Sequence, residues 1–296
     1  MLAAVLVMGA WPGANANAQT SAPAPPAPVP TPAPASPAPA QAPAPVDVTG
    51  ATQIEYDGQT QQYVFRGPRV VVVRGTQRLE APEIHYDAEK RVAILPRGGT
   101  LTTPTMSLEG DQITADLGTR HFLGEGRVAG RFLDEGVWTS LHAARVEADD
   151  RPDLRRAVAT GAVVATRNDE ELRGDRVVYD RLTRHGTVEG HAVLTRGEDR
   201  LQADQVVVEL ATDDAQASGH VQLDRTSQQM HGSGDTATYS GRTQTAVLTG
   251  HAAVERGRDR LTADRITVHL DRNEAIADGH PRIVAYPREG AQGSQP

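Results

Sequence analysis

The sequence predicts an all-β protein built from antiparallel two-strand repeats. Three observations carry this reading. An eight-residue pattern recurs seven times, apolar and polar residues alternate on both sides of it, and no segment sustains a helical period. The repetition is plainest in GEDRLQADQVVVEL (197–210) and GRDRLTADRITVHL (257–270), which are identical at eight of fourteen positions.

The pattern is Leu-x-small-Asp-x-Val-x-Tyr, loosely kept. Its copies are LEAPEIHY (79–86), LEGDQITA (108–115), LHAARVEA (141–148), LRGDRVVY (172–179), LQADQVVV (201–208), GSGDTATY (232–239) and LTADRITV (261–268). The fourth position falls at 82, 111, 144, 175, 204, 235 and 264, a spacing of 29 to 33 residues. A second landmark lies between copies, where Gly161, Gly190, Gly219, Gly250 and Gly279 sit within short alternating segments.

Alternation means a strand with one apolar face. In AQASGHVQL, Ala215, Ala217, Gly219, Val221 and Leu223 share one parity. The other half of the unit slips: Leu201 and Ala203 share one parity, Val206, Val208 and Leu210 the opposite one. A one-residue slip turns the apolar face outward unless the strand bulges. A bulge or bend is therefore expected at Asp204 and its equivalents. Pro82 holds this position in the first copy, where a bulge tolerates the missing N–H.

Short polar turns such as RGTQR (74–78), RGEDR (196–200) and RGRDR (256–260) join the strands. They favour antiparallel neighbours, because a parallel crossover needs about a dozen residues. The chain then holds about fourteen strands in seven two-strand units. A single unit cannot bury its one apolar face, but stacked units fold it into a continuous trough. The recurring bend curls the sheet into a jelly roll or V-shaped section. A parallel β-helix is the rival, disfavoured by two tight reversals per unit.

Residues 1–18 read as an export signal: LAAVLVMGAW is a short apolar run, followed by small residues with cleavage after Ala18. An uncleaved inner-membrane anchor is the alternative. Residues 19–46 are a Pro/Ala-rich linker, extended in the polyproline manner. Residues 47–286 are expected to form the repeat domain, and 287–296 a disordered tail. The absence of cysteine excludes disulfides and thiol chemistry. A net charge of −8 with interleaved signs argues against nucleic acid.

No catalytic motif stands out, and an enzyme is not expected. GSGD (232–235) and RGD (173–175) are slices of the repeat. His191, His220, His251 and His280 each follow a repeat glycine. Equivalent positions two strands apart lie about 9.6 Å from one another, too far to share one zinc. They are read as surface residues, and neither metal nor cofactor is expected. The pairs Asp149–Asp150 and Asp213–Asp214 are read as solvated turn carboxylates.

The copies LRGDRVVYD, LQADQVVVEL and LTADRITVHL, with the Gly-His-Val strands between them, resemble the OstA-like (organic solvent tolerance) repeats of lipopolysaccharide-transport proteins: LptA, LptC and the LptD N-terminal domain. The resemblance covers nearly all of 50–285 and is clearest in 160–280. It implies an antiparallel repeat β-jellyroll (β-taco) whose apolar interior holds acyl chains. It also implies a periplasmic, LptA-like bridge that carries lipopolysaccharide or a similar acylated lipid, docked by sheet edges to other OstA-like proteins or to itself. The inward residues expected to meet acyl chains are Leu172, Val177, Tyr179, Leu201, Val206, Val208, Leu210, Val221, Leu223, Leu261, Ile266, Val268 and Leu270. The bland counterpart is a filled core with no room for ligand. The rival function is an envelope scaffold that binds proteins through its sheet edges. Pro281 and Pro287 are expected to blunt pairing at the C-terminal edge.

Overall fold

A computed structural model of the chain describes residues 45–226, 229–269, 271–272 and 274–286. The expected export signal, nearly all of the Pro/Ala linker, the C-terminal tail with Pro287, and Leu270 lie outside the described residues.

Alternating sequence becomes alternating burial along one antiparallel meander. The strands are β1 Val46–Thr49, β2 Gln53–Asp57, β3 Gln62–Arg74, β4 Gln77–Asp87, β5 Val92–Leu95, β6 Gly99–Thr103, β7 Met106–Gly110, β8 Gln112–Asp116, β9 His121–Asp134 and β10 Val137–Asp149. They continue as β11 Arg156–Arg167, β12 Glu170–Asp180, β13 His185–Arg196, β14 Asp199–Glu209, β15 Asp214–Arg225, β16 Met230–Ser240, β17 Thr245–Arg256, β18 Asp259–His269, β19 Glu274–Asp278 and β20 Arg282–Val284. From β9 to β18 each strand pairs antiparallel with the next. Two-residue turns close several hairpins. Gly197 and Gly257 open theirs at φ 56° and 61°, which a primed hairpin turn requires of its first residue.

Twenty strands replace the fourteen expected. Four rungs are split: β1 and β2 both pair with β3, β5 and β6 with β4, β7 and β8 with β9, and β19 and β20 with β18. The seven pattern copies fall on β4, the β7/β8 rung, β10, β12, β14, β16 and β18. A further rung of that type, β1 and β2 within Val46–Asp57, precedes them and lacks the sequence pattern.

The bulge lies at the expected level but belongs to the neighbouring strand. Leaving Gln202, β14 pairs next at Gln205, while β15 runs from Gln222 to Ser218. The extra residue is in the Gly219–His220 pair, both in the left-handed region at φ 75° and 49°. The same break occurs at Gly190–His191 and Gly250–His251. Pro82 lies in the unpaired stretch of β4 opposite β3.

Each Gly-His pair carries a repeated contact. The imidazole Nδ1 of His220 donates to Asp204 Oδ2 at 2.9 Å, and His191–Asp175, His251–Asp235 and His280–Asp264 repeat this at 2.9–3.0 Å. The rings face solvent, His220 being 89% exposed. The Asp of the pattern thus ties down the bulge. A Cβ on Gly219 would sit 2.1 Å from Asp204 Oδ2. Gly219→Ala is therefore expected to destabilise the fold by about 1–3 kcal/mol in urea unfolding. Gly197→Ala, with open space around its Cβ, is expected to cost less. Equal losses would contradict the account.

Both halves of each bent strand turn apolar residues inward. On β14, Leu201 and Ala203 before the bend and Val206 after it are all buried. The rows of hairpins at the two strand ends meet along a seam. Arg74 Nη1 donates to the Leu117 carbonyl at 2.8 Å, Thr105 Oγ1 to Asp150 Oδ1 at 3.0 Å, and Arg181 Nε to Asp134 Oδ1 at 3.2 Å. Asp150 is buried and also bonded to Arg120, which corrects its expected role as a solvated turn carboxylate.

Candidate ligand-binding trough

The interior is not uniformly packed. Ten of the twelve largest fully buried side chains, among them Leu79, Ile84, Leu101, Leu108 and Phe122, precede residue 130; Leu194 and Ile266 are the other two. Large residues there meet across strands, as in the row Leu79, Leu101 and Leu108. The first part of the trough is a filled core.

Beyond it the wall side chains shrink and space opens. A cavity of about 140 Å³ is lined by residues including Leu141, Ala159, Ala165, Leu172, Val188 and Leu194. That is close to the ~150 Å³ of an engineered apolar cavity that stays dry and binds benzene. Three alanines of β11, Ala157, Ala159 and Ala165, contribute to its wall. A smaller space of about 40 Å³ follows between Leu201, Leu223, Leu248 and Val268.

The expected inward residues distribute over these spaces. Leu172, Val177, Tyr179, Val208 and Leu210 line the larger one. Leu201, Val206, Leu223 and Val268 line the smaller one. Val221 and Ile266 are fully buried, and Leu261 is half-buried against the cluster of Leu248 and Ile266. Only Leu270 lies outside the described residues. The sequence reading missed the alanines Ala157, Ala159 and Ala165, whose strand parity was a usable signal.

Asp134, Asp149, Asp150, Arg155 and Arg181 add a polar part to the lining of the larger cavity, where Asp134 and Asp150 make seam contacts. Tyr179 Oη donates to Asp134 Oδ2 at 3.4 Å. Burial, with the adjacent Asp134 charge, pushes the Tyr179 phenol above its usual range. It therefore stays a neutral donor across physiological pH. The arrangement suits an amphiphile, with an apolar body and a polar end. Among the described residues no group of three or more His, Asp or Glu is placed to hold a metal ion.

Residues 175–274 match the family model described as LptA/(LptD N-terminal domain) LPS transport protein. Over this segment the chain is similar to that transport family. The segment runs from Asp175 in β12 to Glu274 in β19 and so includes the walls of the smaller space and part of the larger. Sixteen solved chains match the structure. One is LptH of Pseudomonas aeruginosa, titled as the LptA-homologous periplasmic component of the lipopolysaccharide transport device. Its identity is 15% and its TM-score 0.36, covering 40% of this chain and 95% of that one. No curated protein matches the sequence.

Proposed function

We propose that this chain is a periplasmic, LptA-like carrier that holds the acyl chains of lipopolysaccharide, or of a similarly acylated glycolipid, in its trough. The apolar cavity beneath Ala159, Leu172, Val188 and Leu194, part of whose wall belongs to the segment that resembles the transport family, supports this reading. Burial contributes about 0.8 kcal/mol per methylene, so ten sequestered methylenes give roughly 8 kcal/mol. Apolar contact is non-directional, so a held chain can slide along the trough. Native mass spectrometry of the purified chain with added lipopolysaccharide tests the proposal. Bound acylated lipid is the expected result; a folded chain that stays empty would contradict it.

The sheet edges suit docking to like proteins. The first rung, β1 and β2, lies on the side of the Asp-bearing strands, and the last, β19 and β20, carries the Gly279–His280 pair beside it. A second copy added head to tail would keep the alternation in phase. Ile54 and Tyr56 are exposed at one end, and Ile276, Ile283 and Val284 at the other. Pro281 falls in the gap between β19 and β20 and breaks the C-terminal edge. Pro281→Val is expected to restore a continuous edge and raise self-association several-fold in sedimentation velocity. An unchanged sedimentation profile would count against edge docking there.

A further inference from the structure

The inner lip of the trough carries charge where the same face is apolar below. Two residues beyond Ala165, Leu172, Leu194, Leu201 and Leu223, at the same parity, stand Arg167, Glu170, Arg196, Asp199 and Arg225. They are successive cross-strand partners: Arg167 with Glu170, Glu170 with Arg196, Arg196 with Asp199, and Asp199 with Arg225. They form a rail of alternating sign from β11 to β15. Its arginines recur every second strand, about 9.6 Å apart. Arg256, opposite Asp259, continues the series at the same repeat position.

A charge rail on a solvated surface would need no explanation, but three of the five residues of this one are buried. Arg167, Glu170 and Arg225 are only 5–6% exposed. Their mutual compensation is incomplete. Arg225 Nε is 3.6 Å from Asp199 Oδ2, and Arg196 Nε is 3.7 Å from Asp169 Oδ2 and 4.0 Å from Glu170 Oε1, all beyond hydrogen-bond distance. Arg225 Nε is buried without a hydrogen-bond partner, and so is Nη1 of Arg167. Among the described residues Arg167 has no ion pair at all. A buried guanidinium without a partner is strongly unfavourable, so its retention points to an anion that completes the site.

We infer that this rail is a headgroup track: Arg167, Arg196 and Arg225 hold phosphate groups of the glycolipid whose chains occupy the trough. The inference rests on the function proposed above and names which part of the ligand the lip reads. The geometry fits an amphiphile. Ala165, Leu172 and Leu194 line the larger cavity, and the rail lies two residues, about 7 Å, further along the same strands. The planar guanidinium matches phosphate through paired N–H donors. Glu170 and Asp199, interleaved between the arginines, compete for each guanidinium. They keep any one site from holding the phosphate fast, and an anion released by one arginine meets the next two strands on.

Two probes test the track on the full chain: a diphosphorylated, acylated glucosamine disaccharide, and the same lipid with both phosphates removed. Arg167→Gln is expected to weaken the phosphorylated probe by about tenfold or more and leave the dephosphorylated one unchanged. Arg167→Lys should recover part of the loss. Arg196→Gln, at a more exposed site, should act in the same direction even if Arg167→Gln folds poorly. Inorganic phosphate alone is expected to bind far more weakly than the phosphorylated lipid. Equal losses on both probes, no loss on either, or free phosphate binding as tightly as the lipid would overturn the track and leave the acyl trough standing. A wild-type chain that binds neither probe would overturn the trough as well.

Discussion

Val208→Glu is expected to abolish binding of acylated lipid in a chain that still folds. Val208 lies on β14 and lines the larger cavity. Its cross-strand neighbours, Gly186 and Ala215, are both small. A glutamate there fills part of the cavity and sets a carboxylate against methylene groups. Excluding about four methylenes removes about 3 kcal/mol, more than a hundredfold in affinity. Val208 is only half-buried, so the new carboxylate has a route toward water and the fold survives. Lipid titration alongside circular dichroism separates the two effects. A scaffold that binds only proteins would lose stability and show no lipid binding before or after the change.

Leu101→Ala is expected to do the reverse, lowering stability by about 2–5 kcal/mol without changing lipid affinity. Leu101 is fully buried between Leu79 and Leu108 in the filled part of the trough. Its removal leaves a void where the rigid neighbours cannot collapse. Urea unfolding with the m-value unchanged, and a parallel lipid titration, check both halves of the statement. A loss of lipid affinity equal to that of Val208→Glu would mean that the ligand reaches the first repeats, contrary to the packing gradient.

The repeat and its alternation made the all-β antiparallel fold legible, because period-two burial follows directly from strand geometry. Position 204 marked the level of every bend. What parity misplaced was the extra residue: on β15, Ala217, Gly219, Val221 and Leu223 keep one parity through the bulge, so only β14 appeared to slip. The first rung escaped notice because VDVTGATQIEYD keeps the strand but not the pattern. Inward Leu and Val residues could be read from alternation. Whether they enclose space depends on which side chains face them across the trough, and Ala159 against Leu108 is a distinction that becomes meaningful only in three dimensions. The lip arginines were hidden for another reason. In RGEDR, Arg196 and Asp199 look like ordinary polar turn flanks, and only their place between buried Glu170 and buried Arg225 on paired strands sets them apart.

Photo-crosslinking along the inner wall tests the central claim most directly. A benzophenone amino acid placed singly at Val177, Val188 or Val208, and for comparison at Ile84 or Ile113, samples the hollow and the filled parts of one trough. The account predicts crosslinks to the acyl chains of lipopolysaccharide at 177, 188 and 208 and none at 84 and 113. Crosslinks absent from all five positions in folded protein, or equal at all five, would contradict a lipid-holding cavity confined to the later repeats.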